Sequence, residues 1–308
     1  MEYYINPGRL RKSVNFIDNI VYSHQKDLDG NDLELKMSVM LQNGNSEMRI
    51  AAGIDENKDL RSRKPAILWI PGGGYRGADK NLMVAEVEYL VEAGYVVASM
   101  YYRSSAQGHY PDQLIDVKTA IRFLRAHAAE YEIDPERIGV MGRSAGGHLA
   151  AMAAMNTPGY DTEEWSEYSS EVQAAYDMFG PVDIVTLMES DEREMKANPN
   201  HRWKTIEDTH AGALMGGDPA TMKERAKAAS AGTYITKKMC PILIMHGDAD
   251  PLVPCDISKT FYHQICDAGM EDQADFYMLK NGGHGTPEFF QPETRGIVER
   301  FFDKYLKA

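Results

Sequence analysis

The stretch that most constrains the fold of this chain is IGVMGRSAGGHL, at residues 138–149. An apolar, strand-like run leads into the pentapeptide GRSAG, and an alanine-rich segment of helical character follows at 147–155. Glycines on both flanks of Ser144 let the backbone bend sharply, so that the hydroxyl projects from the top of a sheet at the start of a helix. The helix N-terminus and the free N–H after the serine favour a developing negative charge. This context predicts a nucleophile at Ser144, although GxSxG alone is short enough to arise by chance.

Length, charge and cysteine content limit the class of protein. The 308 residues suffice for one large domain, and the alternating strand and helix patterns favour a single domain over 1–308. Acidic residues outnumber basic ones by 46 to 33, and the net charge of −13 argues against nucleic acids and anionic membranes as partners. The three cysteines lack CxxC or Cys/His ligand spacing, so neither a disulfide framework nor a zinc site is expected. A small neutral or cationic substrate fits this composition better.

No targeting segment is evident in the sequence. The N-terminal run MEYYINPGRLRKS lacks the apolar core of a signal peptide. No later stretch approaches the roughly 20 apolar residues of a membrane span. We therefore expect a soluble, cytoplasmic protein; a leader removed from the chain would leave no trace here.

The order of the predicted elements indicates an α/β fold. Alternating apolar positions at 14–24 and 33–41 flank an acidic turn and predict an antiparallel hairpin; the turn lacks the spacing and terminal glutamate of a calcium-binding EF-hand loop. We expect further strands at 66–70, 95–100, 138–141, 174–179, 242–245 and 276–279, helices near 82–93, after Pro111, at 257–268 and at 294–307, and a turn at 132–137. This alternation predicts a doubly wound, mostly parallel sheet with an antiparallel N-terminal hairpin.

Residues 157–238 are charged and weakly periodic. We expect most of this stretch to be a polar insertion or lid near the active site. Trp165 and Trp203 lie in it among acidic residues, and either could stack on a sugar ring. An ordinary packing role is the simpler interpretation of both.

A serine nucleophile needs a base, and the base needs a third group that fixes its tautomer. His284 lies in the run NGGHG and Asp250 in the run HGDADP, each just after a predicted strand. The order Ser144, Asp250, His284 is that of the α/β-hydrolase arrangement. Asp248 competes with Asp250 for the acid role, and Asp183 is a more remote candidate. Taken singly, a glycine-flanked histidine and an aspartate before proline are also common turn residues.

Acyl transfer also needs hydrogen-bond donors aimed at the developing oxyanion, each worth about 3 kcal/mol. The run PGGGY at 71–75 follows a predicted strand and can bring bare backbone N–H groups close to a substrate. We expect the oxyanion hole to comprise the N–H groups of Gly73, Gly74 and Ala145. A phosphate cradle is the competing interpretation, but the GK[ST] ending of a P-loop and the acidic residue of a dinucleotide fold are both missing.

On these motifs the sequence resembles the α/β-hydrolase superfamily, specifically the hormone-sensitive-lipase-like esterases, and is most similar to bacterial acetyl-xylan and feruloyl esterase-like proteins. The resemblance is carried by PGGGY, by YPDQL at 110–114 with its following helix, by GRSAGGHLA at 142–150, and by 246–254 with GHG at 283–285. Two positions depart from the family pattern. The oxyanion motif usually begins with His where this chain has Pro71, and the residue before the nucleophile, commonly acidic or His, is Arg143. We expect Arg143 to form a structural or surface salt bridge rather than to contact an acidic substrate.

The resemblance implies hydrolysis of carboxylic esters through an acyl-enzyme, without a metal or organic cofactor. Ser144 would be the nucleophile, His284 the base and Asp250 the group that orients it. The polar insertion favours a small-molecule substrate with a short acyl group, such as acetyl, on a hydrophilic alcohol such as a xylo-oligosaccharide. A formamidase or another amide-directed hydrolase of this fold would use the same triad and stays open. A non-catalytic binding protein of this fold stays open too, although such proteins usually lose a triad member. The sequence does not indicate the oligomeric state.

Overall fold

The computed structural model describes residues 1–5, 13–42, 63–157, 159–198 and 200–307. Within these ranges eight strands form one sheet in the order β1-β2-β4-β3-β5-β6-β7-β8. The strands are β1 Val14–Lys26, β2 Asp32–Gln42, β3 Lys64–Ile70, β4 Val96–Met100, β5 Ile133–Arg143, β6 Ala174–Met178, β7 Ile242–Gly247 and β8 Ala274–Leu279. The pairs β1–β2 and β2–β4 are antiparallel, and the others are parallel. The predicted mostly parallel sheet with an N-terminal antiparallel hairpin is confirmed.

Helices cover both faces of the sheet. They are α1 Glu88–Glu92, α2 Asp112–Ala126, α3 Ala145–Ala154, α4 Ile184–Ala197, α5 His210–Met215, α6 Lys223–Ala228, α7 Cys255–Asp267 and α8 Pro292–Leu306. None of the helices in the described part of the chain has both the length and the apolar character that crossing a membrane requires.

Two apolar layers hold the sheet between the helices. Because successive side chains of a strand point to opposite faces, Leu68 of β3 joins the layer under α2, α3 and α7, whereas Trp69 joins the layer under α1 and α8. Both side chains are fully buried. This burial on both faces explains why the central strands are apolar runs rather than alternating patterns.

Several of the predicted elements differ in extent from the structure. Instead of a continuous helix over 82–93, residues Val84–Val87 form a 3₁₀ turn that leads into α1. The turn expected at 132–137 belongs to β5, whose register against β3 is irregular: Ile133 pairs with Lys64, and the next pair on β3 is Ala66 with Ile138. The turn preference persists as this irregularity, because Asp134 Oδ1 accepts a hydrogen bond from the Glu136 backbone N–H at 3.0 Å. Ile133, which is fully buried, begins the strand before it. The helix after Ser144 begins at Ala145, two residues before the predicted start.

The stretch 157–238 contains both sheet and helix. β6 lies between β5 and β7 in the centre of the sheet, and its place agrees with the strand expected at 174–179. Helices α4, α5 and α6 follow β6 in sequence and precede β7. Because β5 to β8 run parallel, their carboxyl ends meet at one edge of the sheet, and the loops after these strands converge there.

Candidate active site

Ser144 occupies a strained turn between β5 and α3. Its backbone has φ 53° and ψ −123°, a conformation that costs a residue other than glycine about 1–3 kcal/mol. The flanking glycines allow the turn to be tight: a Cβ at Gly142 would collide with the carbonyl of Gly146, and a Cβ at Gly146 with the carbonyl of Ile70. The glycines of the motif therefore occupy the two positions where the backbone of this turn, residues 142–146, packs against itself and against β3; we call this turn the elbow.

The structure brings Ser144, His284 and Asp250 together in one hydrogen-bonded chain. Ser144 Oγ lies 2.8 Å from His284 Nε2, and His284 Nδ1 lies 2.7 Å from Asp250 Oδ2. Because a carboxylate only accepts hydrogen bonds, Nδ1 carries the proton and Nε2 accepts the hydroxyl hydrogen of the serine. This tautomer is the one in which the imidazole can take a proton from Ser144.

The two other acid candidates lie elsewhere. Asp248 Oδ1 accepts a hydrogen bond from the backbone N–H of Asn281 at 2.6 Å, which ties the loop after β7 to the loop after β8. Asp183 is the N-cap of α4 and accepts from the backbone N–H of Thr186 at 3.0 Å. Both carboxylates therefore have structural partners, and Asp250 is the one that contacts His284.

The Asp250 carboxylate is buried among hydrogen-bond donors. Its Oδ1 accepts from the backbone N–H groups of Leu252 at 2.8 Å and Val253 at 3.0 Å. His246 Nε2, at the end of β7, lies 3.2 Å from Oδ2 and 3.0 Å from the Val253 carbonyl. Burial alone would raise the pKa of Asp250, but His246 and His284 outweigh it and hold this pKa well below its usual range. The carboxylate is therefore charged, as orientation of His284 requires.

The glycine loop 71–75 lies directly against the elbow. A Cβ added to Gly72 would lie 2.9 Å from the Arg143 carbonyl and 3.1 Å from Ser144 Cβ. Gly73 and Gly74 have φ values of 142° and 58°, which glycine adopts far more easily than other residues. Two of the residues predicted for the oxyanion hole are thus in this loop, and the third, Ala145, begins α3.

The two departures from the family pattern have structural counterparts. The carbonyl of Pro71 accepts a hydrogen bond from the Tyr102 hydroxyl at 3.0 Å, so this end of the loop is anchored without the usual histidine. Arg143 pairs with no carboxylate among the described residues, so the predicted salt bridge is absent there. Instead its guanidinium donates to Met83 Sδ at 3.0 Å and lies 5.8 Å from the centre of the Phe179 ring, and burial lowers its pKa.

Helix α5 contributes a histidine that the sequence did not predict. The ring of His210 covers the glycine loop, because a Cβ at Gly74 would collide with it. Burial, with the nearby Arg202 as a smaller cause, lowers the pKa of His210 to about 4, so the imidazole is neutral at ordinary pH. His210 lies in a weakly periodic stretch without a recognisable motif, and no local signal marks it.

The two tryptophans of the 157–238 stretch lie in different places. Trp203 packs edge-on against His210, with ring centres 4.9 Å apart, and is thus linked to the glycine loop through the His210 ring. Trp165 packs against Phe123 at 5.6 Å and donates its indole N–H to the Tyr22 carbonyl at 3.0 Å. Trp165 is therefore a packing residue, and Trp203 is the tryptophan that contacts the histidine over the glycine loop.

Comparisons with known proteins agree with this architecture. The BD-FAE family model matches residues 54–265. LipM of Mycobacterium tuberculosis, described as a probable carboxylic ester hydrolase, is 30% identical over 210 residues, which are 67% of this chain and 46% of LipM. The esterase LipQ of the same organism is 29% identical over 248 residues, which are 78% of this chain and 55% of LipQ. The chain thus spans about half the length of these curated relatives.

A solved structure extends the similarity over nearly the whole chain. It is described as a truncated form of a carbohydrate esterase from gut microbiota and is 28% identical to this chain. The match has a TM-score of 0.75 and covers 98% of this chain and 99% of that one. With a family model that matches well over half of its residues, the chain belongs to the BD-FAE family of hormone-sensitive-lipase-like α/β-hydrolases, as its motifs predicted.

Proposed function

We propose that this chain is a serine carboxylic-ester hydrolase that works through an acyl-enzyme. The observation that carries the proposal is the chain of hydrogen bonds from Ser144 Oγ to His284 Nε2 at 2.8 Å and from His284 Nδ1 to Asp250 at 2.7 Å. The relatives described as ester hydrolases support the same reaction class. This chemistry uses side chains and backbone N–H groups alone and needs no metal or organic cofactor.

The proposed mechanism has two half-reactions. As Ser144 Oγ attacks the ester carbonyl carbon, its proton moves to His284 Nε2, and the carbonyl oxygen becomes an oxyanion. The tetrahedral intermediate then collapses, and the leaving alkoxide takes the proton from His284. Water repeats the sequence on the acyl-enzyme and releases the carboxylic acid. Asp250 stays ionised throughout and stabilises the imidazolium.

The oxyanion would be bound by the backbone N–H groups of Gly73, Gly74 and Ala145. Two features support this assignment. The glycine loop touches the elbow through Gly72, and Ala145 is the first residue of a helix whose N-terminal N–H groups carry a partial positive charge. Removing a donor from such a hole typically costs about 10²–10³ in kcat.

For the substrate we propose a short acyl group, acetyl above all, on a carbohydrate alcohol such as a xylo-oligosaccharide. His210 covers the glycine loop and Trp203 packs against His210. The Arg202 guanidinium lies 4.1 Å from the centre of the Trp203 ring on one face, and we propose that the other face of the indole receives a sugar ring. The description of the structural neighbour as a carbohydrate esterase points the same way. We further propose that the segment from α4 to α6 forms a wall or lid over the part of the site that binds the alcohol portion of the ester.

A hydrolysis panel with purified protein tests the proposal. We expect release of acetate from p-nitrophenyl acetate and acetylated xylo-oligosaccharides, with weaker cleavage of octanoate esters, methyl ferulate and N-formylkynurenine. Ser144→Ala should abolish turnover. Ser23→Ala is the matched control, because this buried serine also uses its hydroxyl in a hydrogen bond, to Glu164, but lies on β1 at the far end of the sheet. Near-normal hydrolysis by Ser144→Ala would refute the mechanism, and preference for the N-formyl amide would refute the ester assignment.

A further inference from the structure

We propose that Tyr75 and His148 are positioning residues for the oxyanion hole. The two side chains form a buried hydrogen-bond chain that ends on the carbonyl of Ala229 and holds the glycine loop in a fixed place relative to the nucleophile helix α3. The inference rests on the proposed function, since an oxyanion hole has a role only if Ser144 attacks a carbonyl group.

The hydrogen-bond chain consists of two short bonds in series. The Tyr75 hydroxyl lies 2.8 Å from His148 Nδ1, and His148 Nε2 lies 2.6 Å from the carbonyl oxygen of Ala229. Because a carbonyl only accepts, Nε2 carries the proton and Nδ1 must accept from Tyr75. Both side chains are completely buried, so water cannot replace either partner. The donor and the acceptor of each hydrogen bond are therefore fixed.

Both groups stay neutral over the pH range in which esters are assayed. Burial lowers the pKa of His148 to about 4, with the Ala229 carbonyl opposing it, and burial raises the pKa of Tyr75 well above its usual value. Neither residue therefore acts as an acid or base in the reaction. Their contribution is the fixed geometry of the chain.

The backbone of the glycine loop is strained where it leads into Tyr75. Gly73, Gly74 and Tyr75 have φ values of 142°, 58° and 62°, so three consecutive residues lie in the positive-φ region. For tyrosine this conformation is unfavourable, and it persists only where surrounding contacts fix it. The hydroxyl bond to His148 and a bond from the Ser105 N–H to the Tyr75 carbonyl, at 2.6 Å, are such contacts. The strained residue directly follows the two glycines proposed to bind the oxyanion.

His148 also contacts the other half of the proposed hole. It lies one turn after the nucleophile in α3, and its backbone N–H donates to the Ser144 carbonyl at 3.0 Å. One residue therefore bonds to both segments whose N–H groups must converge on one oxygen atom. Misplacement of a catalytic group by about 1 Å can cost roughly 100-fold in rate, so the separation of these segments matters.

The Ala229 end of the hydrogen-bond chain is anchored as well. The carbonyl of Ala228 accepts from the Tyr110 hydroxyl at 2.6 Å, and the N–H of Ala231 donates to the Val182 carbonyl at 2.9 Å. Ala229 lies between these two fixed points at the end of α6. The hydrogen-bond chain thus ties the glycine loop to the segment that follows β6.

Tyr75→Phe is the decisive variant, because it removes one hydroxyl and no ring contact. With p-nitrophenyl acetate we expect kcat to fall roughly 10-fold while KM changes less than about 2-fold, since the hole binds the transition state better than the substrate. Affinity for a trifluoromethyl ketone, which forms a tetrahedral adduct with a serine, should fall by the same factor as kcat/KM. His148→Gln keeps one donor and one acceptor and should retain more activity than His148→Leu.

Tyr22→Phe is the matched control, because the equally buried Tyr22 hydroxyl donates to the Tyr101 carbonyl at 2.7 Å, and Tyr22 lies on the edge strand β1 without a hydrogen bond to the described residues of the glycine loop. It should lower the free energy of unfolding about as much as Tyr75→Phe and leave kcat unchanged. Wild-type kcat and inhibitor affinity in Tyr75→Phe would overturn the inference, as would an equal loss of kcat in both variants. Neither result touches the proposed function, which is tested separately by the substrate panel and by Ser144→Ala.

Discussion

The buried imidazole of His148 should make the stability of the fold depend on pH. Its pKa is about 4 in the folded protein and 6.5 for an unperturbed histidine, and the residue is completely buried. Between these values the unfolded chain binds a proton that the folded chain does not, so the free energy of unfolding rises with pH. The contribution is fully present above pH 6.5 and is lost as the pH falls towards 4. At about 1.4 kcal/mol per pKa unit, the whole window is worth about 3 kcal/mol.

His148→Gln removes this titration while keeping a donor and an acceptor in place. We expect guanidinium unfolding curves, followed by tryptophan fluorescence, to give a wild-type-minus-variant difference in unfolding free energy that shrinks by about 3 kcal/mol as the pH is lowered through the window. His210, whose pKa is also lowered to about 4, is present in both proteins, so its effect cancels. A difference that stays constant with pH would refute the argument, because it would mean that His148 binds its proton equally in both states.

Two further pairs of variants test the site. Asp250→Asn should lower kcat on p-nitrophenyl acetate about 10⁴-fold, because an amide can favour the wrong tautomer of His284, while Asp248→Asn stays within a few fold of wild type. Equal losses in the two variants would contradict the assignment of the acid. Trp203→Ala should lower kcat/KM for acetylated xylo-oligosaccharides roughly 5-fold and leave p-nitrophenyl acetate unaffected, as expected for loss of a stacking face worth about 1 kcal/mol. Trp165→Ala should lower the melting temperature and change neither activity. A selective loss of activity on the oligosaccharide in Trp165→Ala, and not in Trp203→Ala, would contradict the proposal that a sugar ring stacks on Trp203.

The parts of the fold that could be predicted are those with a local signal. The hairpin of β1 and β2 has an alternating apolar pattern, and the elbow has two glycines at fixed distances from Ser144. The triad could be predicted because each member follows a strand of one parallel sheet, where carboxyl ends must converge. The order of the strands along the chain was therefore enough to predict that Asp250 and His284 lie near Ser144. Their catalytic roles stay predictions until variants are assayed.

The parts that could not be predicted depend on contacts between distant segments. Nothing in the run around His210 indicates that it covers Gly74, because the contact arises only when α5 folds back over the glycine loop. The surroundings of Arg143 could not be predicted from its charge for the same reason. Its guanidinium contacts the thioether of Met83 and the ring of Phe179 rather than a carboxylate. The start of β5 at Ile133 could not be predicted either, because it depends on burial of Ile133 and on its pairing with Lys64, before the irregularity at 134–137.

The spacing of the proposed triad along the chain would link the proposed activity to the end of folding. Ser144 and His284 are 140 residues apart in sequence, and β6 and β7 must both be in place before the loops after β5 and β8 can meet. Contacts of such long range form late, because they close large loops. A nascent or truncated chain that ends before β8 would carry the nucleophile and its glycine loop without their base. Recovery of ester hydrolysis during refolding would therefore report completion of the sheet, whereas circular dichroism would already register the earlier helices.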